Sequence, residues 1–175
     1  NRQIVYNYNS RGLLEDVRLG VNVLASYTYT DFGKPLTLVY ANGINTAYGY
    51  DTLNRVVSIE TKNASSTLVF KQAYQYDEES NRTVMTEIRL SEDGTPITAT
   101  TNYTYDGLDQ LTDVDYTDVN GVSNDLTYRY NTHGNRTSAT SPFESSAYTY
   151  TLNTDELASV SYNSGRLIIA NQYDG

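Results

Sequence analysis

Tyr48-Gly49-Tyr50-Asp51-Thr52-Leu53-Asn54-Arg55-Val56-Val57-Ser58-Ile59 holds the decision about the fold. Two tyrosines separated by one residue lie on the same face of an extended strand, because side chains alternate with a period of two. Asp51 follows, a residue whose carboxylate can bond the backbone two residues on and so start a turn. Asn54 stands where that turn must pass through positive φ, a conformation Asn and Gly adopt more readily than other residues. Val57 and Ile59 then resume the alternation. The stretch spells strand, turn, strand.

The same order recurs along the whole chain. Tyrosine pairs stand at Tyr6/Tyr8, Tyr27/Tyr29, Tyr48/Tyr50, Tyr74/Tyr76, Tyr103/Tyr105, Tyr128/Tyr130 and Tyr148/Tyr150, and a lone Tyr173 opens an eighth unit. Four residues after each second tyrosine come Gly12, Gly33, Asn54, Ser80, Asp109, Gly134 and Thr154. Beyond each turn, apolar residues return at every second position, as in Leu36, Leu38 and Tyr40, in Val114 and Tyr116, and in Val160 and Tyr162. The fourth unit reads as carrying one extra turn residue in Asp77-Glu78-Glu79-Ser80-Asn81-Arg82, which would put Val84 and Ile88 one position late. Links between units hold further turn signals at Asn42-Gly43, Asp93-Gly94, Asn120-Gly121 and Ser164-Gly165. The expectation is an all-β chain of tandem β-hairpin repeats forming one continuous antiparallel ribbon, with one dry face and one wet face.

Composition agrees. Eighteen tyrosines stand beside three phenylalanines and no tryptophan, and Tyr and Thr favour strands while Asn, Asp and Gly favour turns. A formal net charge of −9, with 12 Lys and Arg among 21 Asp and Glu, supplies no basic stripe for a phosphate backbone, so nucleic acid is not an expected partner. The absence of cysteine removes disulfides and thiolate metal sites. No apolar run reaches the length of a membrane-spanning helix. The chain begins without methionine and stops at Tyr173-Asp174-Gly175, which reads as a piece of a longer array.

No constellation in the sequence points to catalysis, a cofactor or a metal. His133 is the only histidine and sits in a turn, so neither a histidine metal cluster nor a Ser-His-Asp relay can form around it. Asp113 to Gly121 is rich in oxygen ligands. It lacks the glycine and glutamate an EF-hand loop needs, with Asp118 and Asn124 in their places. Glu78/Glu79 and Asp155/Glu156 lie in turns with no apolar surroundings to raise a carboxyl pKa for acid catalysis. The residues expected to matter are structural: Tyr27, Tyr29, Tyr48, Tyr50, Asp51, Tyr74, Tyr76, Asp77, Tyr103, Tyr105, Asp106, Tyr128, Tyr130, Gly134, Tyr148 and Tyr150. Their tyrosines read as a packing ladder of stacked rings across strands.

Tyr48 to Arg55, Tyr103 to Leu111 and Tyr128 to Arg136 follow a pattern close to Y-x-Y-D-x-x-G-R-L, and on those residues the chain resembles the YD-repeat, or Rhs-repeat, family. The resemblance covers essentially all of residues 1–175, with Thr30 and Thr151 departing from the motif's Asp. It implies a ribbon that spirals into a hollow shell, as in Rhs polymorphic toxins, the B and C components of insecticidal toxin complexes, and teneurins. It further implies a secreted or cell-surface, bacterial setting. The implied partners are the remaining repeats of a parent chain or a second copy by edge pairing, and an enclosed C-terminal cargo or a surface glycan. The family's self-cleavage does not carry over, because its Pro- and Gly-rich motif is missing. The expected function is a non-catalytic structural module of a cargo-enclosing β-shell. The alternative is an extracellular adhesion or carbohydrate-binding module.

Overall fold

A computed structural model describes residues 3–118, 122–151 and 155–169. The turn signal Asn120-Gly121, the turn residue Thr154 and the lone Tyr173 fall outside the described residues. Among those described, the chain is all-β, without helix. Its strands are β1 (Ile4–Tyr8), β2 (Leu14–Leu19), β3 (Asn22–Tyr29), β4 (Pro35–Tyr40), β5 (Asn45–Tyr50), β6 (Val56–Lys62), β7 (Leu68–Tyr76) and β8 (Arg82–Leu90). They continue with β9 (Pro96–Tyr105), β10 (Leu111–Thr117), β11 (Leu126–Tyr130), β12 (Arg136–Thr140), β13 (Ser145–Tyr150), β14 (Leu157–Tyr162) and β15 (Leu167–Ile169). Their order in the sheet is their order in the chain. The chain divides into two compact units, Asn1–Gln75 with Met85–Thr98, and Tyr76–Val84 with Ala99–Gly175.

One hairpin design is used throughout. In the third repeat Asn54 N donates to Asp51 O at 3.0 Å and Asp51 N donates to Arg55 O at 3.0 Å, closing a tight turn with Asn54 at φ 60. The left-handed residue adds one position to its strand, so the pairing shifts between Gly49 and Tyr50, and Tyr50 faces Val56. Equivalent shifts occur between Asn7 and Tyr8, Thr28 and Tyr29, Arg129 and Tyr130, and Thr149 and Tyr150. Positive φ falls on Gly12, Gly33, Asn54, Ser80, Asp109 and Gly134, the anticipated positions.

The fourth turn corrects one expectation. Asp77 N donates to Asn81 O and Ser80 N to Asp77 O, the same spacing as at Asp51, so no residue is added there. Met85 keeps the apolar place that Ile59 holds in the third repeat, Thr83 takes that of Val57, and Val84 and Ile88 stand at the places of Ser58 and Lys62. The longer turn is the seventh, where Thr151 N donates to Glu156 O and the positive φ sits on Asp155.

In the first unit, Tyr6 faces Val17, Tyr27 faces Leu38 and Tyr48 faces Ile59. On the opposite side Glu60 bridges Lys62 at 2.8 Å and Lys71 at 3.5 Å. Asp16, nearly buried, accepts from Asn7 Nδ2 at 2.8 Å and from Arg18 Nε at 2.7 Å. In the second unit, Tyr103 faces Val114, Tyr128 faces Ala139 and Tyr148 faces Val160.

The anticipated dry face is only half-buried. Among the described apolar residues, Ala25 and Val160 alone are buried, and no large side chain is fully buried. A single sheet layer has no opposing layer to cover its apolar side, which accounts for this. In the fourth repeat the tyrosine face also carries polar groups. Tyr74 Oη donates to Gln72 Oε1 at 2.6 Å, and Gln72 Nε2 donates to Glu87 Oε2 at 3.2 Å.

Candidate functional site

The tyrosine motif builds a recurring bond that sequence reading alone did not find. In five repeats the second tyrosine reaches back to the repeat before it and donates to the carbonyl of the residue that opens that repeat's second strand. Tyr29 Oη donates to Leu14 O at 2.7 Å, Tyr50 to Pro35 O at 2.7 Å and Tyr105 to Arg82 O at 3.0 Å. Tyr130 donates to Leu111 O and Tyr150 to Arg136 O, both at 2.8 Å. Desolvation by burial, and next the neighbouring first tyrosine, raises the phenol pKa of Tyr29 and Tyr50. Burial is likewise the leading cause of the raised values of Tyr105 and Tyr130. These phenols are held neutral as donors.

The first tyrosines do another job. Because tyrosine pairs stand on every second strand, they face aliphatic residues across the sheet, and the expected ring-on-ring stacking is replaced by ring against Val, Leu, Ile or Ala. Cations cover several of the rings: Arg82 lies 4.6 Å from the Tyr103 ring, and Arg136 lies 4.5 Å from Tyr148 and 5.7 Å from Tyr128. Arg136 Nη2 also donates to Tyr148 Oη at 3.0 Å.

Where an Asx residue follows the tyrosine pair, as at Asn9, Asp51, Asp77, Asp106 and Asn131, it organises the turn. Asp51 Oδ1 accepts from Leu53 N at 3.0 Å and Arg55 N at 2.8 Å, while Oδ2 accepts from Arg55 Nε at 2.7 Å. Desolvation opposes ionisation of Asp51, but the backbone and guanidinium donors of Arg55 outweigh it and leave the pKa lowered. Asp106 accepts from Leu108 N and Gln110 N, Asp77 from Asn81 N, and Asn131 from His133 N and Asn135 N. In a link turn Ser91 Oγ donates to Asp93 and, with Thr95 N, brings that carboxyl down to about 2.

Consecutive turns are also tied to each other. Lys34, five residues after Tyr29, donates through Nζ to Asn54 O of the following turn. Asn81 Nδ2 donates to Asp109 Oδ1 at 2.8 Å, and Asn135 Nδ2 donates to Asp155 Oδ1 at 2.8 Å. Gln110 Nε2 lies 2.9 Å from where a Cβ on Gly134 would stand. In the first turn Arg11 takes this part, donating to Thr30 O and Asp31 O at 3.0 and 2.7 Å. The signal in the sequence is a polar donor five places after the second tyrosine, at Lys34, Asn81 and Asn135. His133 is exposed and lies 3.2 Å from Asp155 Oδ1.

Open hollows lie in the second unit. One, of about 450 Å³, is acidic and is lined by Asp77, Glu79, Asn81, Tyr103, Asp106 and Asp109. Another, of about 390 Å³, is lined by residues that include Ser138, Thr140, Ser145, Ser161, Tyr162 and Asn163. Among the described residues, no three His, Asp or Glu side chains are grouped so as to hold a metal ion, and no helix is long and apolar enough to cross a membrane.

No family model matches the chain, and no curated protein does. Among solved structures, the crystal structure of TcdB2-TccC3 without its hypervariable C-terminal region matches 95% of this chain with a TM-score of 0.71 at 20% identity. The fold is that of a YD-repeat ribbon. The chain spans 9% of the length of the TcdB2-TccC3 chain it matches. Two related structures, TcdB2-TccC3-TEV and TcdB2-TccC3-Cdc42, align over 94% and 95% of this chain at 11% and 12% identity, covering 11% and 13% of their chains. Their TM-scores are 0.35 and 0.27, too low to bear on the fold.

Proposed function

We propose that this chain is a non-catalytic structural module, a run of hairpins contributing to the cargo-enclosing β-shell of a secreted or surface-exposed, toxin-related YD-repeat protein. The observation that carries the reading is how the motif residues are used. The donor tyrosines bond carbonyls of the preceding repeat, and the Asx carboxylates and amides bond their own turns. Groups already committed to backbone donors and acceptors hold neighbouring strands together and leave little chemistry over for a substrate. The likeness of the ribbon to part of TcdB2-TccC3 supports the toxin-related setting.

The experiment is limited proteolysis of the natural polypeptide that carries this stretch. A segment that resists cleavage while the repeats are intact, and is cut rapidly once they are opened by denaturant, supports enclosure. Cleavage at the same rate in both states overturns it. The hollow of the second unit lined by Ser138, Thr140, Ser145, Ser161, Tyr162 and Asn163 is where the carbohydrate-binding alternative would place a sugar, its apolar surface against the ring and its hydroxyl-bearing residues at the rim. Specific glycan binding lost on Asn163→Ala would replace the passive scaffold with that reading.

A further inference from the structure

Arg136, in the second unit, is a charge without a carboxylate. The chain carries 12 Lys and Arg among 21 Asp and Glu, so carboxylates are in excess. Arg18 is paired with Asp16 and Arg55 with Asp51, whereas among the described residues no Asp or Glu lies within ion-pair reach of Arg136. Its exposed guanidinium is flanked instead by rings from the strands on either side of β12, 5.7 Å from the centre of Tyr128 and 4.5 Å from that of Tyr148. Nη2 donates to Tyr148 Oη at 3.0 Å, which fixes the plane of the group. Tyr148 Oη also accepts from Ser146 Oγ at 3.2 Å. With both of its acceptor sites filled, the phenol keeps its own proton to donate elsewhere.

A hollow of about 190 Å³ adjoins this group. Tyr128, Ala139 and Ser146 form one row across β11, β12 and β13 and line it, together with Leu126. Tyr128 and Ser146 belong both to the lining and to the surroundings of Arg136, so the guanidinium and the Tyr148 hydroxyl stand at one end. Glu144 stands at the other, in the link that follows β12, where its Oε1 accepts from Ser164 Oγ at 3.3 Å.

We propose that Arg136, Tyr148 and this hollow bind a small aliphatic monocarboxylate. The guanidinium offers a planar fork of N–H donors that matches the two oxygens of a carboxylate, and the Tyr148 hydroxyl donates to the same group. The aliphatic body lies on Leu126, Ala139 and the Tyr128 ring. Charge sets the class. A single guanidinium in a chain of net charge −9 balances one negative charge and not the two of a phosphate monoester. Glu144 repels the carboxylate from the far end, so the ligand lies one way round. The inference goes beyond the structural role and stands whatever the ribbon encloses.

The test is to titrate the full chain with isovalerate while following the NMR signals of the Arg136 Nε–H and of the Tyr128 and Tyr148 rings. Saturable shifts with a Kd of about 1 mM are expected. Isovaleramide, of the same shape without the charge, should leave the signals in place. Arg136→Gln should abolish binding, and Tyr148→Phe, which keeps the ring, should weaken it about fivefold. Arg129→Gln should not change it, because Arg129 alternates to the opposite face and donates to Tyr128 O. Equal affinity for the amide, undiminished binding by Arg136→Gln, or no saturable shift up to about 20 mM overturns the proposal. If Arg136→Gln fails to fold, Tyr148→Phe decides, and unchanged affinity in that variant overturns it. Tighter binding of a leucine-terminated peptide than of isovalerate also overturns it, since that assigns the site to a chain terminus.

Discussion

Tyr130 shows what the hydroxyl adds to a residue that could otherwise be phenylalanine. Its ring is half-buried, and its oxygen sits 2.8 Å from Leu111 O. Tyr130→Phe removes the donor and leaves that carbonyl to find water, so a loss of about 1 kcal/mol is expected in urea unfolding. Tyr6→Phe, whose ring is exposed at the edge, should change stability by only a few tenths. Equal losses in the two variants would mean that the bond to the earlier repeat contributes nothing. Proton linkage gives a second check. Tyr29, Tyr50, Tyr105 and Tyr130 have pKa values raised above the ordinary 10.0 by burial. In the unfolded chain these phenols ionise first, so the stability they contribute is present below pH 10 and is lost as the pH climbs through the folded values. Phenolate absorbance should therefore show a late-ionising class that merges with the rest on denaturation. Asn54, at φ 60, gives the third: Asn54→Gly should raise stability by about 0.5 kcal/mol, and Asn54→Val should lower it by 1 kcal/mol or more.

Hairpins succeed because the turn, the bulge and the register are one device. The left-handed residue shifts the pairing at the second tyrosine, and the shift lets that tyrosine face the residue that opens the next strand, as Tyr50 faces Val56. Links at the other ends of the strands are packed as closely in places. Gly43, at φ 82, would place a Cβ 2.6 Å from Ala64 Cβ and 3.0 Å from Ala64 Cα. Gly43→Ala combines backbone strain with a clash against a side chain too short to move aside, so a loss of roughly 2 kcal/mol is expected. Gly94→Ala, with the same sign of φ and open space around it, should cost about half as much. Matching thermal shifts for the two would show that the neighbouring link is not held against Gly43.

Within each unit, strand pairs join elements that follow each other in the chain. Stability in such an array is close to a sum of repeat and neighbour terms, as in other quasi-one-dimensional proteins. With only Ala25 and Val160 buried among the described apolar residues, no shared core couples distant repeats. Calorimetry of the isolated chain should therefore give a broad transition whose calorimetric enthalpy exceeds the van't Hoff enthalpy. A sharp two-state transition with equal enthalpies would show a coupling that the strand pairing does not supply.

The residues alone determined the hairpin. The period of two, the Asx after most tyrosine pairs and the residue, most often Gly, that admits positive φ are local demands, satisfied within a few residues, so they are written plainly in the chain. Apolar spacing at Val84 and Ile88 points to a longer turn at Asp77, but hydrogen bonding, not apolar spacing, fixes a turn's length. Only the tertiary structure decided that the second tyrosines reach carbonyls of the earlier repeat, that Lys34, Asn81 and Asn135 tie one turn to the next, and that tyrosines face aliphatic side chains instead of one another. The reason is distance along the chain: the bonds between repeats and between turns join residues 14 to 28 positions apart, and links of varying length leave the partner undefined until the strands are laid side by side.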